Sequence, residues 1–233
     1  ASSLSTSIML KLLLVLFFAF AAAVSGNPAL EKRAANPCMF DVAFLLDSSQ
    51  SISERWFPNE TRIVRNVINQ TAQHYAVGPT GVQFSIVKFG QDATVELSLD
   101  QSTSLDAALA ALANVYYSPS LSNPYAAFEK TINDVFAGAR AQASKIIVIL
   151  TDGRITAGFK HPQDVATQFK ASDSKNRVMA VGIPGWIRKG NSTIDTETLN
   201  NVASSSSFVF DAHSCVQGIV TAFSSIATKL RCT

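Results

Sequence analysis

The chain has 233 residues, of which 47% are hydrophobic and 15% are charged. This composition is typical of a folded globular protein with one substantial core, and it excludes an intrinsically disordered chain. The formal net charge is only +2 at pH 7, so the charge balance does not favour binding to nucleic acid or to an anionic membrane surface.

Residues 1–26 are predicted to form a secretory signal peptide. The stretch MLKLLLVLFFAFAAAVSG places a lysine before an apolar run that ends in small residues at Ser25 and Gly26, which is the pattern of such a segment. Its apolar run, Leu12 to Val24, is shorter than the roughly 20 residues that a membrane-spanning helix needs. No other stretch predicts a membrane span, and we expect the protein to be secreted.

Residues 27–37 are predicted to form a propeptide or a linker in front of the domain. The dibasic pair Lys32 and Arg33 lies in a polar, unpatterned stretch, and it is either a processing site or an ordinary solvated pair of charges. Cleavage after Arg33 would remove Lys11 and Glu31 as well, and would leave 16 basic and 16 acidic residues.

Residues 38–233 are predicted to form one α/β domain. Short apolar runs alternate with longer stretches of helical period, whose apolar stripes begin at Val64, Tyr125 and Val216. The apolar runs are residues 42–46, 82–89, 145–150, 177–183 and 208–210.

One further strand, residues 93–99, follows the second run after only three residues, which predicts an antiparallel hairpin. Together these patterns predict a doubly wound, mostly parallel six-stranded sheet with one antiparallel edge strand and helices on both faces.

Two of the predicted strands end in an acid that is followed by hydroxyl residues or glycine. If the strands that end at Asp47 and Asp152 are neighbours, these two acids meet Ser49, Ser51 and Thr151 in one crevice. Alternate residues of an extended turn point the same way, which aims the D-x-S-x-S oxygens together. Such oxygen donors suit Mg²⁺, Mn²⁺ or Ca²⁺, whereas zinc favours histidine or thiolate.

The motifs FLLDSSQSIS and IVILTDG resemble those of the von Willebrand factor type A domain, and the resemblance covers nearly all of the chain from Cys38 to Cys232. It implies a Rossmann-like fold of that family and a metal-ion-dependent adhesion site (MIDAS). By this resemblance two serine hydroxyls contact the metal directly and the acids act largely through water. The matching residues are Asp47, Ser49, Ser51 and Asp152.

The fifth ligand in that family is usually a threonine, and here the corresponding loop is YYSPSLSNPYAAF. Counting back from Phe128 places Ser122 at the position of the threonine, with Ser120 as the alternate. Serine keeps the hydroxyl but lacks the methyl group that restricts the rotamer. The alternative interpretation is that the oxygen cluster only caps a helix and makes turn hydrogen bonds.

The resemblance implies a secreted extracellular matrix or adhesion module. Its metal would bind an Asp or Glu carboxylate of a protein ligand, such as a collagen-like or other matrix protein. The alternative is a structural component of a shell, skeleton or thread matrix without a functional metal site. We expect no enzyme, because the sequence lacks both G-x-S-x-G and a P-loop. A Mg²⁺-dependent hydrolase at the same crevice is a further alternative.

Three cysteines and three N-x-[ST] sequons are consistent with an extracellular route. Cys38 and Cys232 lie near the two ends of the domain, and a disulfide between them is the favoured pairing. Cys215 is then either a buried, inert thiol or a site of self-association through a second chain. The predicted glycosylation sites are Asn59, Asn69 and Asn191.

Overall fold

The computed structural model describes residues 38–185 and 194–231 of the chain. The predicted signal peptide, the dibasic pair, Asn191 and Cys232 lie outside these ranges and remain predictions. All of the described residues belong to one compact unit, Pro37–Thr233. Within them, no helix is both long enough and apolar enough to cross a membrane.

Six strands form one sheet in the order β3-β2-β1-β4-β5-β6. Every neighbouring pair is parallel except β2 and β3, which are antiparallel. This arrangement confirms the predicted doubly wound sheet with one antiparallel edge strand. The strands are β1 Phe40–Asp47, β2 Val82–Phe89, β3 Ala93–Leu97, β4 Ser144–Thr151, β5 Arg177–Gly182 and β6 Val209–Asp211.

Strand β1 lies at the centre of the sheet because its sequence, FDVAFLLD, is suited to burial on both faces. All eight residues are buried. Phe44 and Leu46 pack into the core on one face of the sheet, and Ala43 and Leu45 pack into a second core on the other face. Since β2 and β4 flank β1 on its two sides, the chain winds in opposite directions from this strand, and its carboxyl end lies at the switch point.

In the part of the chain that the structure describes, six α-helices cover the two faces of the sheet. Residues of α1, α2 and α6 contribute to the core on the face of Phe44, and residues of α3, α4 and α5 contribute to the opposite core. A π-helical turn, Thr131–Val135, and a 3-10 turn, Phe136–Gly138, continue α3. The helices are α1 Ser53–Ala72, α2 Leu105–Ala113, α3 Pro124–Lys130, α4 Pro162–Ser172, α5 Thr196–Val202 and α6 Cys215–Leu230.

The predicted helical stripes correspond to α1, to α3 with its continuation, and to α6. The pattern did not identify α2, α4 or α5. Helix α2 reads LDAALAALA, in which nearly every position is apolar, so no stripe stands out. Helix α5 has seven residues, which is about two turns and too short to show a period.

Cys215 opens α6, and its thiol is free and buried. Burial raises the pKa of this thiol to about 11, and the negative charge of Asp211 adds to the effect. A buried, protonated thiol is a poor partner for disulfide exchange, so the structure favours the inert interpretation over a bridge to a second chain. The pairing of Cys38 with Cys232 stays a prediction.

Candidate metal centre

The carboxyl ends of β1 and β4 bring the predicted site residues to one edge of the sheet. Asp47 is the last residue of β1, Thr151 is the last residue of β4, and Asp152 follows directly. The register pairs Leu46 with Leu150, so the two strands end side by side. Asp47 and Asp152 are both fully buried.

The Asp47 carboxylate is held by three hydrogen bonds. Its Oδ1 accepts the Ser49 N–H at 2.9 Å, and its Oδ2 accepts the hydroxyls of Thr151 at 2.6 Å and Ser122 at 3.4 Å. These donors come from β4 and from the two loops that follow β1 and α2. Ser122 and Thr151 lie 75 and 104 residues from Asp47 along the chain. The site is therefore assembled from distant segments, and these hydrogen bonds fix the orientation of the Asp47 carboxylate.

The two candidate serines of the loop before α3 have different positions. Ser122 is buried and its hydroxyl lies against Asp47. Ser120 instead accepts the Gln91 N–H at 2.9 Å through its Oγ. A Cβ at Gly90 would lie only 1.9 Å from that Oγ, so a larger residue there would displace the Ser120 hydroxyl. Of the two alternatives, the structure places Ser122 in the crevice.

The two serines of the first motif present their hydroxyls together, with their Oγ atoms 3.0 Å apart. Ser49 is buried, while Ser51 is partly exposed. The chain then turns into α1 through Ser53, whose φ of +66° lies in the left-handed region. For a residue other than glycine this conformation is strained, and such strain is common where a loop must hold functional groups in place.

Asp152 has one carboxylate oxygen that is bound and one that is not. Its Oδ1 accepts the Arg154 N–H at 3.0 Å. Its Oδ2 is buried and has no hydrogen-bond partner among the residues that the structure describes; the Arg154 Nε lies 3.8 Å away. Gly153 has φ +81°, and a Cβ there would lie 2.6 Å from the Asp195 carbonyl oxygen, which explains the glycine of the T-D-G motif.

The buried acids of the crevice resist ionisation. Burial raises the pKa of Asp47 to about 6, against the lowering effect of its hydrogen bonds, and the charge of Asp152 adds to the rise. Burial also raises the pKa of Asp152, although the Arg154 N–H and the Ser51 hydroxyl oppose it. A divalent cation between these groups would stabilise their ionised forms.

Glu60 is a residue of the site that sequence reasoning missed. It lies on α1, is fully buried, and accepts the Asp47 N–H through Oε2 at 3.0 Å. Its Oε1 has no hydrogen-bond partner in the described ranges, and burial, followed by the charge of Asp47, raises its pKa well above the ordinary range. A signal existed, because Glu60 precedes Val64 by four residues and so extends the apolar stripe of α1.

The donor set fits a hard divalent cation. It offers the carboxylates of Asp47 and Asp152, the second of which has an unpartnered Oδ2, and the hydroxyls of Ser49, Ser51 and Ser122. Across residues 38–185 and 194–231, no group of three or more His, Cys, Asp or Glu side chains is placed to hold a metal ion. An all-oxygen set that includes hydroxyls favours Mg²⁺, Mn²⁺ or Ca²⁺.

Comparison with known proteins gives several relatives of similar identity. The chain is 28% identical over 173 residues to the human collagen alpha-1(XXI) chain, covering 73% of this chain and 16% of the relative. It is 27% identical over 146 residues to human integrin alpha-X, and the match covers 61% of this chain and 12% of the integrin. It is 28% identical over 143 residues to bovine cochlin, covering 60% and 25%. The chain thus spans a quarter or less of the length of these relatives.

Solved structures share the fold. Proximal thread matrix protein 1 from the mussel byssus has a TM-score of 0.66 at 23% identity, over 81% of this chain and 47% of that one. A structure of that protein with a zinc-occupied MIDAS motif has a TM-score of 0.65 at 24% identity, over 82% and 46%. Manganese-loaded TRAP protein of Plasmodium vivax has a TM-score of 0.62 at 21% identity, over 79% and 73%.

A sequence model of one family accounts for most of the domain. The von Willebrand factor type A domain model matches residues 41–222, well over half of the 233 residues. The match runs from β1 through the first half of α6 and includes both motifs that supply the crevice. The chain therefore belongs to the von Willebrand factor type A domain family.

Proposed function

We propose that the domain is an extracellular adhesion module that binds a carboxylate of a partner protein through a divalent cation at the β1–β4 edge. The observation that carries the proposal is a pair of buried carboxylates, Asp47 and Asp152, beside three serine hydroxyls. Asp47 takes part in no ion pair within the described ranges. Buried charges of this kind need a counter-charge, and an exogenous cation would supply it.

Each residue has a distinct role in this proposal. Ser49, Ser51 and Ser122 offer hydroxyl oxygens to the cation, and Asp47 and Asp152 supply negative charge and accept hydrogen bonds from its water ligands. Thr151 orients Asp47 through the 2.6 Å hydrogen bond. A bound cation would supply an open coordination position, which the Asp or Glu carboxylate of a partner would fill.

The proposed setting is an extracellular matrix. Relatives of the chain include collagen chains and cochlin, and a structural neighbour is a thread matrix protein. We propose Mg²⁺, Mn²⁺ or Ca²⁺ as the cation; two neighbours are described with zinc and with manganese. A single module of this kind would connect a matrix only if its partner carried several binding sites. The proposal assigns no catalytic residue.

A structural matrix component without a metal is the second candidate. The observation that favours it is that both oxygens of Asp47 already accept hydrogen bonds from protein groups. In addition, the Arg154 side chain lies near the free oxygen of Asp152. In this case the crevice would serve only to join β1, β4 and the loop before α3.

Calorimetric titration with MgCl₂ and MnCl₂ separates the two candidates. We expect the native domain to bind both ions, and we expect the double substitution Ser49→Ala/Ser51→Ala to weaken binding by about a hundredfold, since it removes two ligands. The matched control is Ser205→Ala/Ser207→Ala, because that pair has the same spacing and its Oγ atoms lie 2.7 Å apart on the surface. No heat from the native domain with either ion would support the structural candidate.

A further inference from the structure

Large hydrophobic side chains are exposed at one end of the domain. Among the described residues, four such side chains are exposed: Tyr116 at 67%, Leu121 at 44%, Ile155 at 36% and Phe159 at 107% of full exposure. All four lie on two loops, residues 114–123 and 152–161, which supply Ser122 and Asp152 to the crevice. We call these four residues the apolar rim. Exposed large apolar side chains on loops that also line a site are candidates for contacts with a ligand.

Hydrogen bonds hold the two loops together. The Ser122 N–H donates to the Thr156 Oγ1 at 2.8 Å, and the Thr156 N–H donates to the Ser122 carbonyl oxygen at 2.9 Å. Leu121 and Ile155 each precede one member of this bonded pair. Gln50, in the first motif, donates its N–H to the Ser120 carbonyl oxygen at 2.9 Å. The rim is thus carried on backbone that is fixed relative to the crevice.

Tyr116 is held by a separate contact. The Lys88 Nζ lies 3.8 Å from the centroid of the Tyr116 ring, and the same ammonium group pairs with Glu96 at 3.2 Å. The next residue, Tyr117, donates its hydroxyl to the Ser49 carbonyl oxygen at 3.3 Å. Because Lys88 contacts its ring and the next residue is hydrogen-bonded, the Tyr116 side chain is held in an exposed position.

The charges around the rim complement an acid. Neither loop contributes an exposed carboxylate, since the only acid in either one is the buried Asp152. The second loop carries two exposed cations, and each lies at the outer limit of an ion pair: the Arg154 Nε is 3.8 Å from the Asp152 Oδ2, and the Lys160 Nζ is 4.0 Å from the Oε1 of Glu129 on α3. A ligand that approaches the crevice therefore meets apolar side chains and positive charge, which favours a carboxylate with apolar neighbours over a strongly polar segment.

We propose that the apolar rim contacts the residues on either side of the bound carboxylate and selects apolar ones. The site would then bind a protein segment in which one Asp or Glu stands between large apolar side chains. This inference rests on the proposed metal-dependent binding of a carboxylate. It goes further by naming the class of segment and the four residues that select it.

The test uses immobilised peptides with the cores Leu-Glu-Leu, Ser-Glu-Ser and Leu-Gln-Leu, with the purified domain in Mg²⁺ or in EDTA, read by biolayer interferometry. We expect Leu-Glu-Leu to bind about tenfold more tightly than Ser-Glu-Ser, because its leucines bury apolar area on the rim. We expect Leu-Gln-Leu not to bind, and EDTA to abolish binding of Leu-Glu-Leu.

The double substitution Ile155→Ser/Phe159→Ser should remove the tenfold preference and leave both the affinity for Ser-Glu-Ser and the calorimetric affinity for Mg²⁺ unchanged. The control is Gln142→Ser, at an exposed position before β4, on the opposite edge of the sheet. This variant should keep the tenfold preference for Leu-Glu-Leu over Ser-Glu-Ser, which would show that the loss of preference is specific to changes in the rim.

Four results would overturn the inference. Equal, metal-dependent binding of Leu-Glu-Leu and Ser-Glu-Ser would leave the proposed function standing and remove the role of the rim. Binding that persists in EDTA, or no binding of any peptide, would remove both. The native domain could also self-associate in sedimentation and show no preference among the peptides. If the double variant then stayed monomeric, the rim would be a contact between copies of the chain.

Discussion

The two ends of β1 carry the same residue type in two different environments. Asp41 and Asp47 lie on one strand, and both are fully buried. Arg140 neutralises Asp41: its backbone N–H donates to Oδ2 at 2.8 Å and its Nε donates to Oδ1 at 2.9 Å. The same guanidinium group donates to the carbonyl oxygens of Phe40 at 2.9 Å and Pro79 at 2.7 Å.

Asp47, by contrast, accepts hydrogen bonds only from hydroxyls and one N–H. A buried carboxylate that has its own arginine stabilises the fold and has no further need of a cation. A buried carboxylate without one gains stability from any cation that reaches it. The amino end of β1 is therefore a structural clamp, whereas its carboxyl end is suited to bind an external cation.

The largest expected effect is at the clamp. Arg140→Met should lower the free energy of unfolding by about 3–5 kcal/mol, because it leaves the Asp41 charge buried and unpaired. Urea denaturation in EDTA would measure the loss. The control is Arg62→Met, at an exposed site on α1, with an expected change within about 0.5 kcal/mol. A loss below about 1 kcal/mol for Arg140→Met would contradict the clamp.

The same substitution at the two ends of β1 should have opposite effects. We expect Asp47→Asn to weaken Mn²⁺ binding by about a hundredfold. In EDTA at pH 7 it should not lower the free energy of unfolding, because the amide keeps an acceptor for the Ser49 N–H and removes the cost of burying an ionised carboxylate. Asp41→Asn should instead cost about 2–3 kcal/mol of stability and leave Mn²⁺ affinity unchanged. Calorimetry would measure the Mn²⁺ affinity of both variants, and urea denaturation would measure their free energy of unfolding. A loss of affinity for Asp41→Asn, or a loss of stability for Asp47→Asn, would contradict this prediction.

The pH dependence follows from the raised pKa of Asp47. Because this pKa rises from 3.8 to about 6 on folding, protonation favours the native state. The stabilisation that protonated Asp47 contributes is fully present below pH 3.8 and is lost as the pH rises through 6. Over this range the free energy of unfolding falls by at most about 1.4 kcal/mol per pH unit. Glu60, whose pKa is also raised, acts in the same direction. Urea denaturation in EDTA between pH 4 and pH 7 should show a flatter profile for Asp47→Asn.

A bound cation reverses this dependence, because it requires the ionised carboxylate. We expect Mg²⁺ affinity to fall roughly tenfold between pH 7 and pH 5, as expected for one group that must lose a proton. Calorimetry at the two pH values would measure it. An affinity that is independent of pH in this range would mean that Asp47 does not need to be ionised for binding.

The smallest effect is expected at Ser122. Ser122→Thr adds the methyl group that restricts the rotamer of the hydroxyl, and it should tighten Mg²⁺ binding by about twofold to fivefold. Ser122→Ala should weaken binding by about tenfold. The control is Ser120→Thr, since the Ser120 hydroxyl accepts the Gln91 N–H and makes no hydrogen bond to Asp47 in the described ranges. Equal effects of threonine at both positions would argue against a special role for Ser122.

Much of the fold followed from local patterns. The buried strands and the hairpin after β2 were predicted correctly, because β-branched runs and short connections constrain the chain locally. The helices with a clear apolar stripe, α1 and α6, were predicted for the same reason. Helices α2, α4 and α5 were missed, because their formation depends on packing against a sheet that a single segment does not reveal.

The candidate site was predicted in part. The D-x-S-x-S and T-D-G motifs are contiguous, so their residues were named from the sequence. Glu60 was missed because a carboxylate in an apolar stripe becomes informative only when its neighbour across the core is known. The pair Asp41 and Arg140 was also missed, because its members lie 99 residues apart, and no local pattern joins them.

By itself, the sequence determined that an apolar strand ends in an acid and two serines, and that a second strand ends in a threonine and an acid. These are properties of contiguous residues, set by backbone geometry and side-chain chemistry. Only the tertiary structure shows that Ser122 and not Ser120 reaches Asp47, that Glu60 lies against the Asp47 N–H, and that the loops with the exposed apolar side chains also supply Ser122 and Asp152. Such contacts join distant segments, and they exist only once the whole core has packed.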